Sequence, residues 1–296
     1  MNKAATRQQQ HSPQQARSTP AAQAQQRSTE IVKHQTHAIA EVPNYLVLPP
    51  GSERPGFEEM EQGDIIMPRL ALCQSGTPQR KKSEEKYIEG LDEAMYFNTI
   101  TRKIYGERII VVPLLFFTSR ILFGENMGDP LLCQALDGKT GIGQPGGPCI
   151  KCPLKEFGTS KKQGSKAPAC TKLYNYAVLV ADEQRVVHAE DLAVFTMKSS
   201  GANDAMGWNT LMRLRAGTPM YAGMYELFSM PATNGTNSWH TPKIQNAGWV
   251  SKESADAARA AHEAISALRA QGRLQHDISD LGPQNDAPEP GADTPF

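Results

Sequence analysis

Short apolar runs of strand length recur through the middle of the chain and predict a mainly β protein. The clearest run, residues 109–117, is rich in β-branched and aromatic side chains, and Pro113 within it indicates a bulge or an edge position. Further strands are expected at 97–106, 174–180, 186–188 and 192–196, and a hairpin at 224–230 and 239–244.

Two segments have helical periodicity. The first covers residues 203–215 and ends at Gly217, and the second runs from an N-cap at Ser251 through an Ala-rich amphipathic stretch to Gly272. Because short strands outnumber helices and a long insertion separates two of them, the expected fold is mainly β with flanking helices (α+β), a small Greek-key barrel with an inserted subdomain.

Composition changes at both ends of the chain. Residues 1–42 are Gln-, Ala- and Ser-rich and basic, and residues 273–296 are Pro-, Gly- and Asp-rich, so both are predicted to be disordered. An ordered domain is expected over residues 57–272. The net charge is zero, yet it is segregated, because from His276 onward the chain holds five acidic residues and no Lys or Arg. A basic body with an acidic end favours a protein that binds polyanions.

Four cysteines lie within one lysine-rich stretch, residues 133–172. Two of them belong to the sequence Pro148-Cys149-Ile150-Lys151-Cys152-Pro153, which places two thiols on one tight turn. The pattern predicts a structural zinc ion held in a 133–172 insertion by Cys133, Cys149, Cys152 and Cys170. The fifth cysteine, Cys73, follows an apolar stretch and is expected to be a buried core thiol.

Two other readings of these cysteines stay open. Paired disulfides would need an oxidising compartment, and the N-terminus shows no apolar region that could act as a secretory signal, so a cytoplasmic location is expected. A redox C-x-x-C pair normally begins a helix, whereas Pro153 and the nearby glycines indicate a turn.

Enzyme signatures are incomplete, and the expected protein is not an enzyme. The segment before Gly138-Lys139-Thr140 lacks the first glycine of a P-loop. A deaminase would need H-x-E before P-C-x-x-C, whereas His188-Ala189-Glu190 follows Cys149 and Cys152. No apolar run is long enough to cross a bilayer, so no membrane partner is expected.

Nucleic-acid binding has more support in the sequence. Binding of single strands requires cations for the phosphates and aromatic faces on which bases stack, and both residue types alternate in several segments. Any one aromatic residue could equally be part of the core. The candidate DNA contacts are Arg102, Lys103, Tyr105, Arg120, Trp239 and Lys243.

A wider pattern extends over about residues 60 to 250, in the segments Gly63-Asp64-Ile65-Ile66, Phe97-Asn98-Thr99-Ile100-Thr101, Cys133, Gly147-Pro148-Cys149-Ile150-Lys151-Cys152-Pro153-Leu154, Pro168-Ala169-Cys170 and Tyr174-Asn175-Tyr176-Ala177-Val178-Leu179. This pattern resembles a known family, the single-stranded DNA-binding proteins of tailed phages. The resemblance implies an OB-fold with an inserted zinc module that acts in phage DNA replication and recombination, in the host cytoplasm.

The C-terminus resembles another group. Asp293-Thr294-Pro295-Phe296 is similar to the acidic tip of bacterial single-stranded DNA-binding proteins, although its aspartates are scattered rather than consecutive. The resemblance implies that Asp293, Pro295 and Phe296 bind replication or recombination proteins. The alternative function is a phage zinc-ribbon regulator of transcription or recombination that acts mainly through protein contacts.

Overall fold

The computed structural model describes residues 64–124, 129–161, 165–215, 217–233 and 238–276, together with residues 55, 56, 59 and 278. The chain divides into two units, residues 1–38 and 39–296, and every described residue belongs to the second. The predicted basic arm of residues 1–42 and the acidic tail from residue 279 onward lie outside the described part.

Eleven strands of the described chain join one sheet, which confirms the mainly β class. The strand order is β3-β2-β1-β9-β8-β4-β5-β6-β7, with β10 added to β4 and β11 added to β10. All pairs are antiparallel except β1 with β9. The strands are β1 (Arg69–Leu72), β2 (Tyr96–Asn98), β3 (Ile104–Gly106), β4 (Ile109–Phe123), β5 (Leu131–Ala135), β6 (Thr140–Gly143), β7 (Gly147–Pro148), β8 (Cys170–Ala181), β9 (Val187–Met197), β10 (Gly223–Thr233) and β11 (Ser238–Trp249).

Strand β4 organises the sheet. One edge pairs with β8 along almost its whole length, while the other edge pairs with β10 at its start and with β5 at its end. The pairing with β8 shifts between Pro113 and Leu115, which confirms the bulge predicted from Pro113, a residue without a backbone N–H. The pairings found among the described residues leave the sheet open, so the barrel closure of an OB-fold stays a prediction.

Two helices cover opposite faces of this sheet, close to the predicted positions. Helix α1 (Ala202–Arg213) places Trp208 on Tyr176, with the ring centroids 4.3 Å apart. Helix α2 (Lys252–Ala270) begins at Ser251, whose hydroxyl accepts the backbone N–H of Ser254, as the N-cap prediction required. Neither helix, nor any other in the described residues, is both long and apolar enough to cross a bilayer.

The helices define two cores. The core under α1 contains Trp208, Tyr176 and their aromatic neighbours, and the core under α2 contains Ala258, Ile265 and the buried Leu114. Each helix therefore covers about one half of the apolar surface of a sheet that is hydrophobic on both faces.

The chain after α2 extends the cover on the α2 face. The N–H of Met67 donates to the carbonyl of Gln275 at 3.1 Å, and Leu274 and His276 are buried. Ile278 packs against Ile121 and Leu173 near the far end of β4 and β8. Leu274, His276 and Ile278, in the first part of the predicted acidic tail, therefore pack against the sheet.

Candidate metal centre and nucleic-acid surface

Two of the four clustered cysteines are placed by the sheet itself. Leu122 on β4 pairs with Cys133 on β5 and with Cys170 on β8. Residues directly opposite each other in neighbouring strands share a face, so both cysteines lie on the same side of the sheet as Leu122. Two strand spacings separate their backbones, about 10 Å. The sheet thus provides one half of a four-cysteine set.

The other two cysteines are placed by a double turn. A 3-10 turn over Cys149–Lys151 is followed directly after Cys152 by a second one over Pro153–Lys155. The N–H of Cys149 donates to the carbonyl of Lys139 at 2.7 Å, which anchors the turn beside β6, and the N–H of Cys152 donates to Cys149 at 3.2 Å. The turn predicted from the prolines and glycines is confirmed. A redox C-x-x-C would begin an α-helix at this position instead.

All four sulfur-bearing side chains line one pocket between the sheet and this turn. Its other walls include Leu122, Ala135, Leu154 and Gly141. A Cβ added to Gly141 would lie 2.8 Å from Sγ of Cys133, so a side chain at this position would displace a candidate ligand. None of the five cysteines, all of which are described, forms a disulfide. The four cysteines named in the sequence prediction therefore line the same pocket.

The four thiols of this pocket suit zinc chemically, although they lie farther apart than the ligands of a metal ion. Among the described residues no three His, Cys, Asp or Glu side chains have the spacing of a metal-binding group. A Zn–S bond measures about 2.3 Å, so the pocket would have to contract around an ion. Cys133, Cys149, Cys152 and Cys170 would hold it, and a closed thiolate set would stabilise the fold of the module rather than supply catalysis.

The electrostatics of the pocket involve Arg120, a predicted DNA contact. Burial raises the pKa of the Cys149 and Cys170 thiols, and the Arg120 guanidinium opposes this by favouring the thiolate. At Cys170 it acts through a hydrogen bond as well as through its charge. Arg120 lines the pocket itself. The structure therefore places this cation beside the candidate ligands.

Cys73 lies apart from this cluster, and the prediction of a buried core thiol is confirmed. Its side chain is fully buried, in the small core that also holds Phe97 and Leu91. Burial raises the pKa of this thiol to about 11. Cys73 therefore stays protonated at neutral pH and is a poor metal ligand.

Two further predicted DNA contacts, Lys103 and Tyr105, are tied to one buried carboxylate. Nζ of Lys103 lies 2.7 Å from Oδ1 of Asp191, and the Tyr105 hydroxyl donates to the same oxygen at 3.1 Å. Burial, followed by the charge of Asp191, raises the pKa of Tyr105. Lys103 neutralises Asp191 and Tyr105 adds a hydrogen bond to it, which leaves little of the Lys103 charge to attract a phosphate.

The predicted contacts Trp239 and Lys243, both on β11, differ in their surroundings. Nζ of Lys243 lies 2.9 Å from both carboxylate oxygens of Asp204, which joins β11 to helix α1. The indole N–H of Trp239 is buried and has no hydrogen-bond partner among the residues that the structure describes. Arg102 is exposed in the turn between β2 and β3, with a positive φ of 61°. Of the predicted cationic contacts, Lys103 and Lys243 are thus each paired with an aspartate.

The structure also separates the two segments that a deaminase would need to bring together. His188 lies at the start of β9. Its neighbour Val187 pairs with Ala181, which lies at the opposite end of β8 from Cys170. Eleven residues of extended strand separate the two ends of β8, about 35 Å. The ring of His188 instead lies 3.0 Å from Asp182. The H-x-E and P-C-x-x-C segments therefore do not meet.

Residues that sequence reasoning missed lie next to the cysteine pocket. Lys172 and Tyr174 follow Cys170 on β8, and Nζ of Lys172 lies 4.7 Å from the centre of the Tyr174 ring. Phe116, an aromatic residue of the strand predicted at 109–117, stacks against Tyr174 with centroids 6.4 Å apart. The alternation of Lys172, Tyr174 and Tyr176 was the available signal, because residues two apart on a strand share a face.

The predicted partner contacts Asp293, Pro295 and Phe296 lie outside the described residues. For the rest, the structure defines a mainly β protein with a basic, cysteine-bearing module at one end of its sheet. A family model described as Pam3 phage gp34-like protein matches residues 33–271. Since this match covers most of the chain, the protein belongs to that phage family. Searches of curated proteins and of solved structures return no match to the chain.

Proposed function

We propose that the protein binds single-stranded DNA, without catalysis, during phage DNA replication and recombination in the host cytoplasm. The observation that supports this most is the charge of the cysteine module, residues 133–172. Asp137 and Glu156 are its only acidic residues. Lysines at positions 139, 151, 161, 166 and 172 are exposed on it. A surface with this imbalance attracts a phosphate backbone.

Zinc is the second part of the proposal. The module consists of short strands and 3-10 turns, and most of its large apolar side chains are exposed. Such a segment cannot offset its ordering entropy by burial alone. An ion shared by four thiolates would supply the missing stability and so hold the lysines in a fixed arrangement.

A second function, a zinc-ribbon regulator that acts through protein contacts, is favoured by one observation. Ile150 at the tip of the cysteine turn is 79% exposed, and Phe157 nearby is 70% exposed. Exposed large apolar side chains on a small module can anchor a protein partner. The same side chains can also contact bases, so the two functions must be separated by experiment.

The test is a titration of the zinc-loaded protein with fluorescently labelled single-stranded and duplex DNA at several salt concentrations. The proposal expects tighter binding to single strands, little dependence on base sequence, and affinity that falls steeply as salt rises. Equal affinity for both forms of DNA, or no binding to either, would overturn it. Replacing Ile150 and Phe157 with Ser would then show whether the regulator function accounts for the module.

A further inference from the structure

The sheet face that carries the cysteine pocket is covered by α1 at one end and is partly open next to the pocket. Under α1, the Tyr176 hydroxyl donates to the carbonyl of Ala205 at 2.9 Å and lies 3.0 Å from Oδ1 of Asn209. Two residues along β8 toward the pocket, Tyr174 is half-buried, and two residues further Lys172 is exposed. The cover therefore ends between Tyr176 and Lys172.

Strand β4 supplies the matching residues of this open area. Phe116 pairs with Tyr176, Thr118 with Tyr174, and Arg120 with Lys172. The Phe116 ring is half-buried and lies at 30° to the ring of Tyr174. Phe116, Tyr174 and Lys172 thus form a continuous row, which we call the β4–β8 row.

Two residues on the opposite face of the same strands are buried. Phe117, next to Phe116, is buried between Arg269 of α2, 4.7 Å from its ring, and His276, 5.7 Å from its ring. Leu173, next to Tyr174, is fully buried beneath Ile278. Phe117 therefore offers no exposed ring to a ligand, whereas Phe116 and Tyr174 on the face of the β4–β8 row are partly exposed.

The charge of the row distinguishes it from the contacts predicted by sequence. Lys103 and Lys243 are each paired with an aspartate. Lys172 makes no ion pair with any residue that the structure describes, and its ammonium group lies over the Tyr174 ring. It keeps its full charge beside two partly exposed rings and adjoins the lysines of the module. Rings beside unneutralised cations are the combination that single-stranded nucleic acid requires.

We propose that single-stranded DNA crosses the sheet along the β4–β8 row, with bases stacking on Tyr174 and Phe116 and phosphates reaching Lys172. The inference rests on the proposed function and specifies the surface that performs it. The strand then continues onto the lysines of the cysteine module. A duplex does not fit this arrangement because its bases are already stacked inside the helix.

The test uses the full-length zinc-loaded protein and a fluorescein-labelled oligothymidylate. Replacing Tyr174 with Leu, which keeps an apolar side chain on the core, should weaken binding roughly 5- to 100-fold, the range that follows from base–aromatic stacking. Tyr174→Phe should bind like the parent because the ring remains. Lys172→Ala should weaken binding and reduce the dependence of log Kd on log salt by about one. The matched control is Lys252→Ala, an exposed lysine at the start of α2.

A second measurement does not depend on any variant. An oligonucleotide that carries iodouracil, irradiated in complex with the parent protein, should crosslink to the peptide that contains Tyr174. If the parent binds but Tyr174→Leu and Lys172→Ala match the control and the crosslink maps elsewhere, the row is wrong and the proposed function stands. If the parent binds no single strands, both proposals fall.

Discussion

Arg120 offers the sharpest test of the metal centre, because the sequence and the structure assign it different roles. Sequence reasoning made it a DNA contact, whereas its guanidinium lines the cysteine pocket and favours the thiolate of Cys170. Four thiolates around Zn²⁺ carry a net charge of −2, so a nearby cation that donates a hydrogen bond stabilises the bound form. Arg120→Gln removes the charge and keeps most of the side-chain volume.

The expected magnitude follows from the position of Arg120. A hydrogen bond to a charged group contributes about 1.5–3 kcal/mol. Arg120 is half-buried, so water screens part of the interaction, and the lower value applies. That value corresponds to about a tenfold loss of zinc affinity. This is the lower end of the loss in metal affinity that typically follows when a residue hydrogen-bonded to a metal ligand is replaced. Arg120→Lys should show an intermediate loss, since it keeps the charge without the planar fork.

The assay is competition for zinc with a chromophoric chelator, combined with the rate of zinc release and a single-strand titration of each variant. Lys172→Gln is the matched control, because it removes one positive charge from the residue that pairs with Arg120 on β8. Unchanged zinc affinity and release in Arg120→Gln, together with weakened DNA binding, would refute this reasoning and restore the DNA contact. A parent protein that binds no zinc under reducing conditions would refute the metal centre itself.

Three other changes test the remaining parts of the molecule. Cys152→Ser should release zinc and make residues 133–172 sensitive to protease while the rest of the sheet stays folded. The control Cys73→Ala should keep its zinc. If the Cys152→Ser protein also keeps its zinc, the proposed set of ligands is wrong. Trp208→Ala should lower the free energy of unfolding by about 3–5 kcal/mol in urea, because Trp208 is 1% exposed and stacks on a buried ring; a loss below 1 kcal/mol would show that the core is misassigned. Removal of residues 279–296 should tighten the binding of single-stranded DNA at low salt, because the acidic tail no longer competes for the cations. Phe296→Ala should keep the DNA affinity of the parent and lose the recruitment of protein partners. If neither effect occurs, the tail only aids solubility.

Hydrophobic patterning was sufficient for the long elements and failed for the short ones. Both helices and the starts of β4, β10 and β11 were predicted within a few residues, because each presents a sustained apolar period to a core. The strands β4 and β11 extend five or six residues beyond their predicted ends, to Phe123 and Trp249. Strand β9 was predicted as two pieces, since polar residues interrupt it, yet Asp191 is buried there by its contacts with Lys103 and Tyr105. The sequence around Asp191 does not indicate that its partner, Lys103, lies 88 residues away in the chain.

The strands of the cysteine module escaped prediction for a different reason. Strands β6 and β7, TGIG and GP, have neither alternation nor β-branched runs. Their pairing depends on glycine conformations, namely the positive φ of Gly143 and Gly147, and on the turn that carries Cys149. The prolines and cysteines of residues 148–153 nevertheless predicted a tight turn, and the structure has a 3-10 turn over Cys149–Lys151.

The predicted DNA surface shows where reasoning from residue type stops. Interleaved cations and aromatics identify segments rich in suitable side chains, but the pattern does not show whether a carboxylate from elsewhere has neutralised each cation. Asp191 and Asp204 do so for Lys103 and Lys243, and both pairs join distant elements. Lys172 makes no ion pair with any residue that the structure describes, and its ammonium group lies over the Tyr174 ring. We therefore expect replacement of Lys103 to reduce the stability of the fold and replacement of Lys172 to reduce DNA binding.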